Sequence, residues 1–140
     1  MNVFEHLMQE HAQAKEIMAQ LKEKPQKRMF GQLKSALEQH LGGEEKVVYK
    51  AMDKYSELHT HVLEGIEEHR VVKRVLGEID RLEPKDEKWQ AKFKVLKEAV
   101  EHHIQEEEET VFPEAQQLID QQAAEDLDVR YSEAEKKIAA

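Results

Sequence analysis

The chain has 140 residues, 39% hydrophobic and 36% charged, with a formal net charge of −9 and no cysteine. That is enough apolar content for one folded domain, and no run approaches the ~18 apolar residues of a membrane span, so the chain is expected to be soluble. Net acidity without a basic stripe argues against nucleic acid or anionic lipid as partners, and without thiolates any metal must be held by nitrogen and oxygen.

The amino terminus, MNVFEHLMQEH, lacks the basic region and continuous apolar core of a secretory signal, and a cytoplasmic location is the expectation. From there apolar residues recur at three- and four-residue spacing through Val3 to Leu21, Met29 to Tyr55, Leu58 to Leu82 and Trp89 to Leu118. Four amphipathic helices are predicted, forming an all-α, antiparallel up-down bundle over residues 1–119. Turns are expected at Lys24-Pro25, around Tyr55-Ser56, and at Glu83-Pro84-Lys85-Asp86. Pro113 should kink or end the fourth helix near Phe112, because it removes a helical hydrogen bond and crowds the preceding turn. Residues 120–140 read as a tail, either a short extra helix of weakly apolar character or a frayed end.

The chain repeats internally. Phe4, Met8, His11, Ala14, Met18 and Leu21 of the first helix match Val62, Ile66, His69, Val72, Leu76 and Ile79 of the third. Likewise LEQHLGGEEKVVY from Leu37 matches VEHHIQEEEETVF from Val100, setting His40 over His103 and Glu44 over Glu107. Two similar helical hairpins make the domain.

At about 100° per residue, with His103 as zero, Trp89, Phe93, Leu96, Val100 and Val111 define a stripe centred near 50°. His103 and Glu107 lie within it; His102, Glu106 and Glu109 lie roughly 110–170° away and Glu108 on a flank. The second helix places His40 and Glu44 inward with Phe30, Leu33, Leu37, Val48 and Tyr55, and leaves Glu45 on its flank. His11 and His69 fall on the stripes of the first and third helices, whereas His6, His59 and His61 fall off them or at the margin. Six residues are thus directed into one interior: His11, His40, Glu44, His69, His103 and Glu107.

Any one of these alone is most simply a hydrogen-bonded core residue. Six together are not, because two desolvated carboxylates beside four imidazoles cost roughly several kcal/mol each without a cation, and metal binding at structural sites supplies on the order of 10 kcal/mol. In H-x-x-x-E, residues i and i+4 direct imidazole nitrogen and carboxylate oxygen at a shared point. Six ligands exceed what one catalytic zinc takes, so a dinuclear centre is expected. With Glu44 and Glu107 bridging, each metal has two imidazoles and two carboxylate oxygens; a bridging oxo or hydroxo group leaves one open position in an octahedron. Nitrogen and oxygen donors suit iron or manganese, and softness alone does not exclude zinc or copper. Gly42 and Gly43 each cost about 1 kcal/mol in a helix interior. Either they are tolerated, or they leave space beside the metals for a small ligand.

The segments EH at 10–11, HLGGEEKVVY at 40–49, EEH at 67–69 and HIQEEEETVFP at 103–113 resemble the hemerythrin-like, HHE cation-binding domains over roughly residues 3–118. The resemblance places the family's ligands on His11, His40, Glu44, His69, His103 and Glu107. It implies a hemerythrin-type bundle with two non-haem iron ions, for which manganese or zinc could substitute, binding O2, NO or peroxide at an open iron position. The implied role is sensing, buffering or storage. The alternative is an enzyme that reduces NO or decomposes peroxide, with Glu45 or Glu108 as a proton donor. Oxygen-carrying members have a further histidine four residues beyond the third-helix ligand; here that residue is Lys73, which counts against reversible O2 carriage. Ferritin-like bundles use E-x-x-H pairs, and no glutamate here stands three residues before a histidine.

Overall fold

The computed structural model describes residues 1–140. The elements are α1 (Val3–Glu23), α2 (Lys27–Gly43), α3 (Tyr49–Met52), α4 (His59–Asp80), α5 (Glu87–Glu106), α6 (Phe112–Leu118) and α7 (Gln121–Ala139). A π-helical turn at Glu44–Val48 joins α2 to α3, and a second at Glu107–Val111 joins α5 to α6. The bundle is all-α, and no helix is long and apolar enough to cross a membrane.

Side-chain caps set several starts. Asn2 and Glu5 form a reciprocal capping box on α1, and Gln26, Asp86 and Asp120 accept from the first turns of α2, α5 and α7. Such caps stabilise a helix by about 1 kcal/mol each. The α1/α2 hairpin packs against the α4/α5 hairpin, α2 lying on α4 and α1 on α5, while α7 covers the seam between α1 and α2.

The apolar interior is split in two. One cluster holds Phe4, Leu7, Val48, Tyr49, Met52, Leu58, Phe112 and Tyr131, and the other holds Met18, Leu21, Phe30, Leu33, Leu76, Ile79, Trp89 and Phe93. Along α1, α2, α4 and α5 the expected polar residues fall between them: His11 separates Leu7 from Ala14, and His103 with Glu107 separates Val100 from Val111. Full burial of each large apolar side chain is worth about 1.5–3 kcal/mol, so the two cores can support a polar layer that stabilises nothing by itself.

Two details differ from the sequence reading. The fourth rod does not end at Phe112 but shifts register: the Phe112 N–H reaches back to the Glu107 carbonyl, and Pro113 falls in the first turn of α6, where a missing donor costs little. The extra helix is also not short. α7 has 19 residues and buries Ala124, Leu127 and Tyr131.

Candidate metal centre

The six residues singled out by periodicity meet in the polar layer, none more than 6% exposed. They form two groups, His11, His40 and Glu107 in one and Glu44, His69 and His103 in the other, with the candidate donor atoms of each group within 4.8 Å of one another. Each group takes both histidines from one hairpin and its glutamate from the other, so the site exists only when the hairpins dock. Glu107 touches both groups: Oε1 lies 3.2 Å from His11 Nε2, and Oε2 lies 3.4 Å from His103 Nε2. Glu44 Oε1 lies 2.9 Å from His69 Nε2 and 3.7 Å from His103 Nε2.

Outside this layer a ring of carboxylates fixes the imidazoles. Nδ1 of His11 is 2.8 Å from Glu108, that of His40 is 2.9 Å from Glu10, that of His69 is 2.7 Å from Glu45, and that of His103 is 2.6 Å from Glu68. Ionised carboxylates only accept, so each Nδ1 carries the proton and donates it, which leaves the Nε2 lone pair facing inward. The repeat makes these contacts pairwise equivalent. Glu10 and Glu68 each precede an α1 or α4 histidine, and Glu45 and Glu108 each follow a central glutamate.

The interior is therefore rich in acceptors and poor in donors. His69 Nε2 and His103 Nε2 lie 3.2 Å apart, and His11 Nε2, His40 Nε2, Glu44 Oε2 and Glu107 Oε1 are buried without any hydrogen-bond partner. Buried groups of this kind cost about 1–3 kcal/mol each when unsatisfied, more when charged. A cation resolves the deficit; so do extra protons. The electrostatics of the protein alone take the second course. Burial disfavours charge on His11, His69 and His103, yet neighbouring carboxylates outweigh it and raise all three above the ordinary histidine value: chiefly Glu107 for His11 and His103, and Glu44 with Glu45 for His69. Glu107, although burial opposes its charge, is held well below the carboxylate range chiefly by His103. The residues present fit metal ions, with imidazole and carboxylate donors and a ready-made outer ring.

One donor that is not itself a candidate ligand enters the layer. The Tyr49 hydroxyl donates to Glu107 Oε2 at 2.9 Å, and its ring stacks on His69 with centroids 5.2 Å apart. The repeat partner, Phe112, stacks on His11 at 6.0 Å and has no hydroxyl to offer Glu44. Sequence reasoning missed both. On an uninterrupted wheel Tyr49 falls about 130° from the buried stripe, but a π turn inserts one residue and sets the later residues back by about 100°. The repeated Glu-His pairs at 10–11 and 68–69 were a legible signal for the outer carboxylates.

The other residues weighed above lie outside the polar layer. Gly42 and Gly43 do not leave space beside the centre: a Cβ on Gly42 would meet Ile138 Cδ1 at 2.8 Å, and one on Gly43 would meet the Tyr131 ring at 2.7 Å. They let α7 approach α2. Glu45 belongs to the outer ring, where its hydrogen bond with His69 and its ion pair with Lys73 hold it at about 2. Glu108 serves His11. Lys73 points outward to Glu45 at 3.0 Å. His59 and His61 pair with Asp53 and Glu114 at the surface, His6 with Asp128 of α7, and His102 is exposed.

A family model described as the hemerythrin HHE cation binding domain matches residues 2–115. No curated protein and no solved structure gives a significant match.

Proposed function

The chain belongs to the hemerythrin HHE cation-binding domain family, whose members bind metal cations, and on that premise we propose that it holds a non-haem di-iron centre. The centre binds a small ligand, O2, NO or peroxide, in sensing, buffering or storage. His11 and His40 would hold one ion, His69 and His103 the other, with Glu44 and Glu107 between them. The observation that supports this reading is the convergence of four inward imidazole nitrogens and two buried carboxylates, with the Tyr49 hydroxyl donating to one of the carboxylates.

When bound, the metals supply an open coordination position and a change of oxidation state. The chain does the rest. Glu10, Glu45, Glu68 and Glu108 orient the imidazoles and raise their basicity as ligands. Tyr49 holds one oxygen of Glu107 and so limits which lone pairs that carboxylate can offer. Lys73 occupies the position where oxygen carriers have a fifth histidine, which favours the four-histidine, two-carboxylate set.

Anaerobic reconstitution with iron(II), followed by an iron count per chain and visible spectra on adding O2, NO or peroxide, tests the proposal. Two irons and a stable adduct without turnover are expected. Fewer than two irons would sink the dinuclear centre, and repeated consumption of NO or peroxide would make the protein an enzyme.

A further inference from the structure

Helix α7 completes a second set of ligand-type side chains outside the polar layer. His6 and Glu10 stand one turn apart on α1, in the same H-x-x-x-E spacing as His40 with Glu44 and His103 with Glu107. Facing them, α7 presents Asp128, Tyr131 and Glu135, which its three- and four-residue spacing sets on one face. His6 Nε2 lies 3.3 Å from Glu10 Oε2 and 3.8 Å from Glu135 Oε1, and the donor atoms of the three residues all fall within 4.8 Å of one another. Two contacts aim these atoms. Asp128 Oδ1 is 2.7 Å from His6 Nδ1, and an ionised carboxylate only accepts, so Nδ1 keeps its proton and the Nε2 lone pair turns to the glutamates. The Tyr131 hydroxyl lies against Glu10 Oε1 and Glu135 Oε2, which leaves the other oxygen of each carboxylate on the side of His6.

From this convergence we propose that His6, Glu10 and Glu135 form a third cation site, for one divalent first-row transition ion, separate from the centre of the bundle. One imidazole and two carboxylates are a donor set such ions take, and water completes the shell on the open side, where the three side chains are 14–22% exposed. A carboxylate stands behind His6 as one stands behind each imidazole of the centre, and that orientation separates a ligand set from a chance group of acids. Two facing carboxylates repel one another unless a proton or a cation joins them. The imidazole favours zinc or iron over magnesium. The set is peculiar to the hairpin that α7 covers, because the repeat equivalents of His6 and Glu10 are the exposed Glu64 and Glu68. Glu10 meets His40 Nδ1 through its inner oxygen at 2.9 Å, so the site adjoins the centre without sharing a ligand with it.

Zinc(II) tests the site in the full chain. Anomalous diffraction from zinc-soaked crystals should place an ion between His6, Glu10 and Glu135. Competition titration should count one zinc per chain beyond those of the centre, and the first to be removed by a chelator, since one side is open to water. His6→Gln and Glu135→Gln should each lose that ion alone, and Asp128→Asn should weaken it by roughly 10–100-fold. Zinc at about a hundred times its Kd should slow amide exchange in α7 by up to about 100-fold, and should not do so in Glu135→Gln. No ion at this position, or zinc held equally by both Gln variants, would overturn the site. Displacement of the zinc by equimolar magnesium would overturn its preference for transition ions. Glu107→Ala, which should empty the centre, should leave this ion in place, so failure of the site and failure of the proposed function are separable.

Discussion

The hydroxyl of Tyr49 occupies the space a side chain on Gly65 would need: a Cβ there would meet the oxygen at 2.5 Å and the ring carbon bearing it at 2.8 Å. Gly65 on α4 thus makes room for the hydroxyl that donates to Glu107 inside the polar layer, and Tyr49 is buried to 3% exposure. Gly65→Ala should push the ring off Glu107 and cost about 1–3 kcal/mol, the usual range for overpacking, in urea melts. Tyr49→Phe should leave the helix packing intact but deprive Glu107 Oε2 of its donor, altering the visible spectrum of iron-loaded protein. A double variant whose costs simply add would refute the coupling.

Outer carboxylates should matter almost as much as the ligands. Glu68 is partly exposed and accepts from His103 at 2.6 Å, and hydrogen bonding to His103 lowers its carboxyl below the ordinary range. Glu68→Gln is expected to weaken metal affinity by roughly 10–100-fold with little effect on helix content, by competition titration against a chelator. Glu107→Ala should abolish two-metal loading, whereas Glu106→Ala, on the exposed face, should leave it intact. Equal losses from Glu106 and Glu107 would refute the assignment.

The two adjacent glycines of α2 should respond oppositely to alanine. At Gly42 the obstacle is the tip of Ile138, a flexible side chain near the end of α7, while at Gly43 it is the ring of fully buried Tyr131. Gly42→Ala should gain up to about 1 kcal/mol of helix propensity less the small cost of turning Ile138 aside. Gly43→Ala should be net destabilising by about 1–2 kcal/mol, because the ring is held by Glu10 and cannot yield. Thermal melts of both variants check the signs.

Docking of α7 should weaken as pH rises. Tyr131 has one proton to give and two carboxylates beside it, Glu10 at 2.5 Å and Glu135 at 3.1 Å. Burial and the facing Glu10 push Glu135 up from 4.5 to about 7. His6, against which burial also works, is raised above 6.5 by Asp128, Glu10 and Glu135. Both groups bind protons more tightly in the docked state, so their contribution is complete at low pH and is lost as pH rises, that of Glu135 between 4.5 and about 7 and that of His6 through its raised value. Glu10 acts in the opposite sense but only in acid: burial opposes its charge, yet His40, Glu135 and Tyr131 outweigh that and hold it at about 2. Amide exchange in α7, corrected for intrinsic rates, should be slower at about pH 5.5 than at about pH 8, and Glu135→Gln should flatten the difference.

Much of the centre was legible in the sequence because its information is local. A helix has one period, and within α1, α2, α4 and α5 that period places His11, His40, His69 and His103, with Glu44 and Glu107 one turn on, on the faces that carry the apolar stripe. The internal repeat supplies the pairing: two copies of one hairpin, each with the same polar residue at the same depth, imply that those depths coincide in the bundle.

What the tertiary structure decided lies where that period breaks or where two rods meet. The π turns at Glu44 and Glu107 rotate Tyr49 and Phe112 inward, and a wheel with a constant angle per residue has no means of finding them. The role of the α2 glycines was not legible because their neighbour is α7, some ninety residues away in sequence, and close approach is a property of the pair of helices rather than of either one. Periodicity determines which way a side chain faces; only packing determines what it faces.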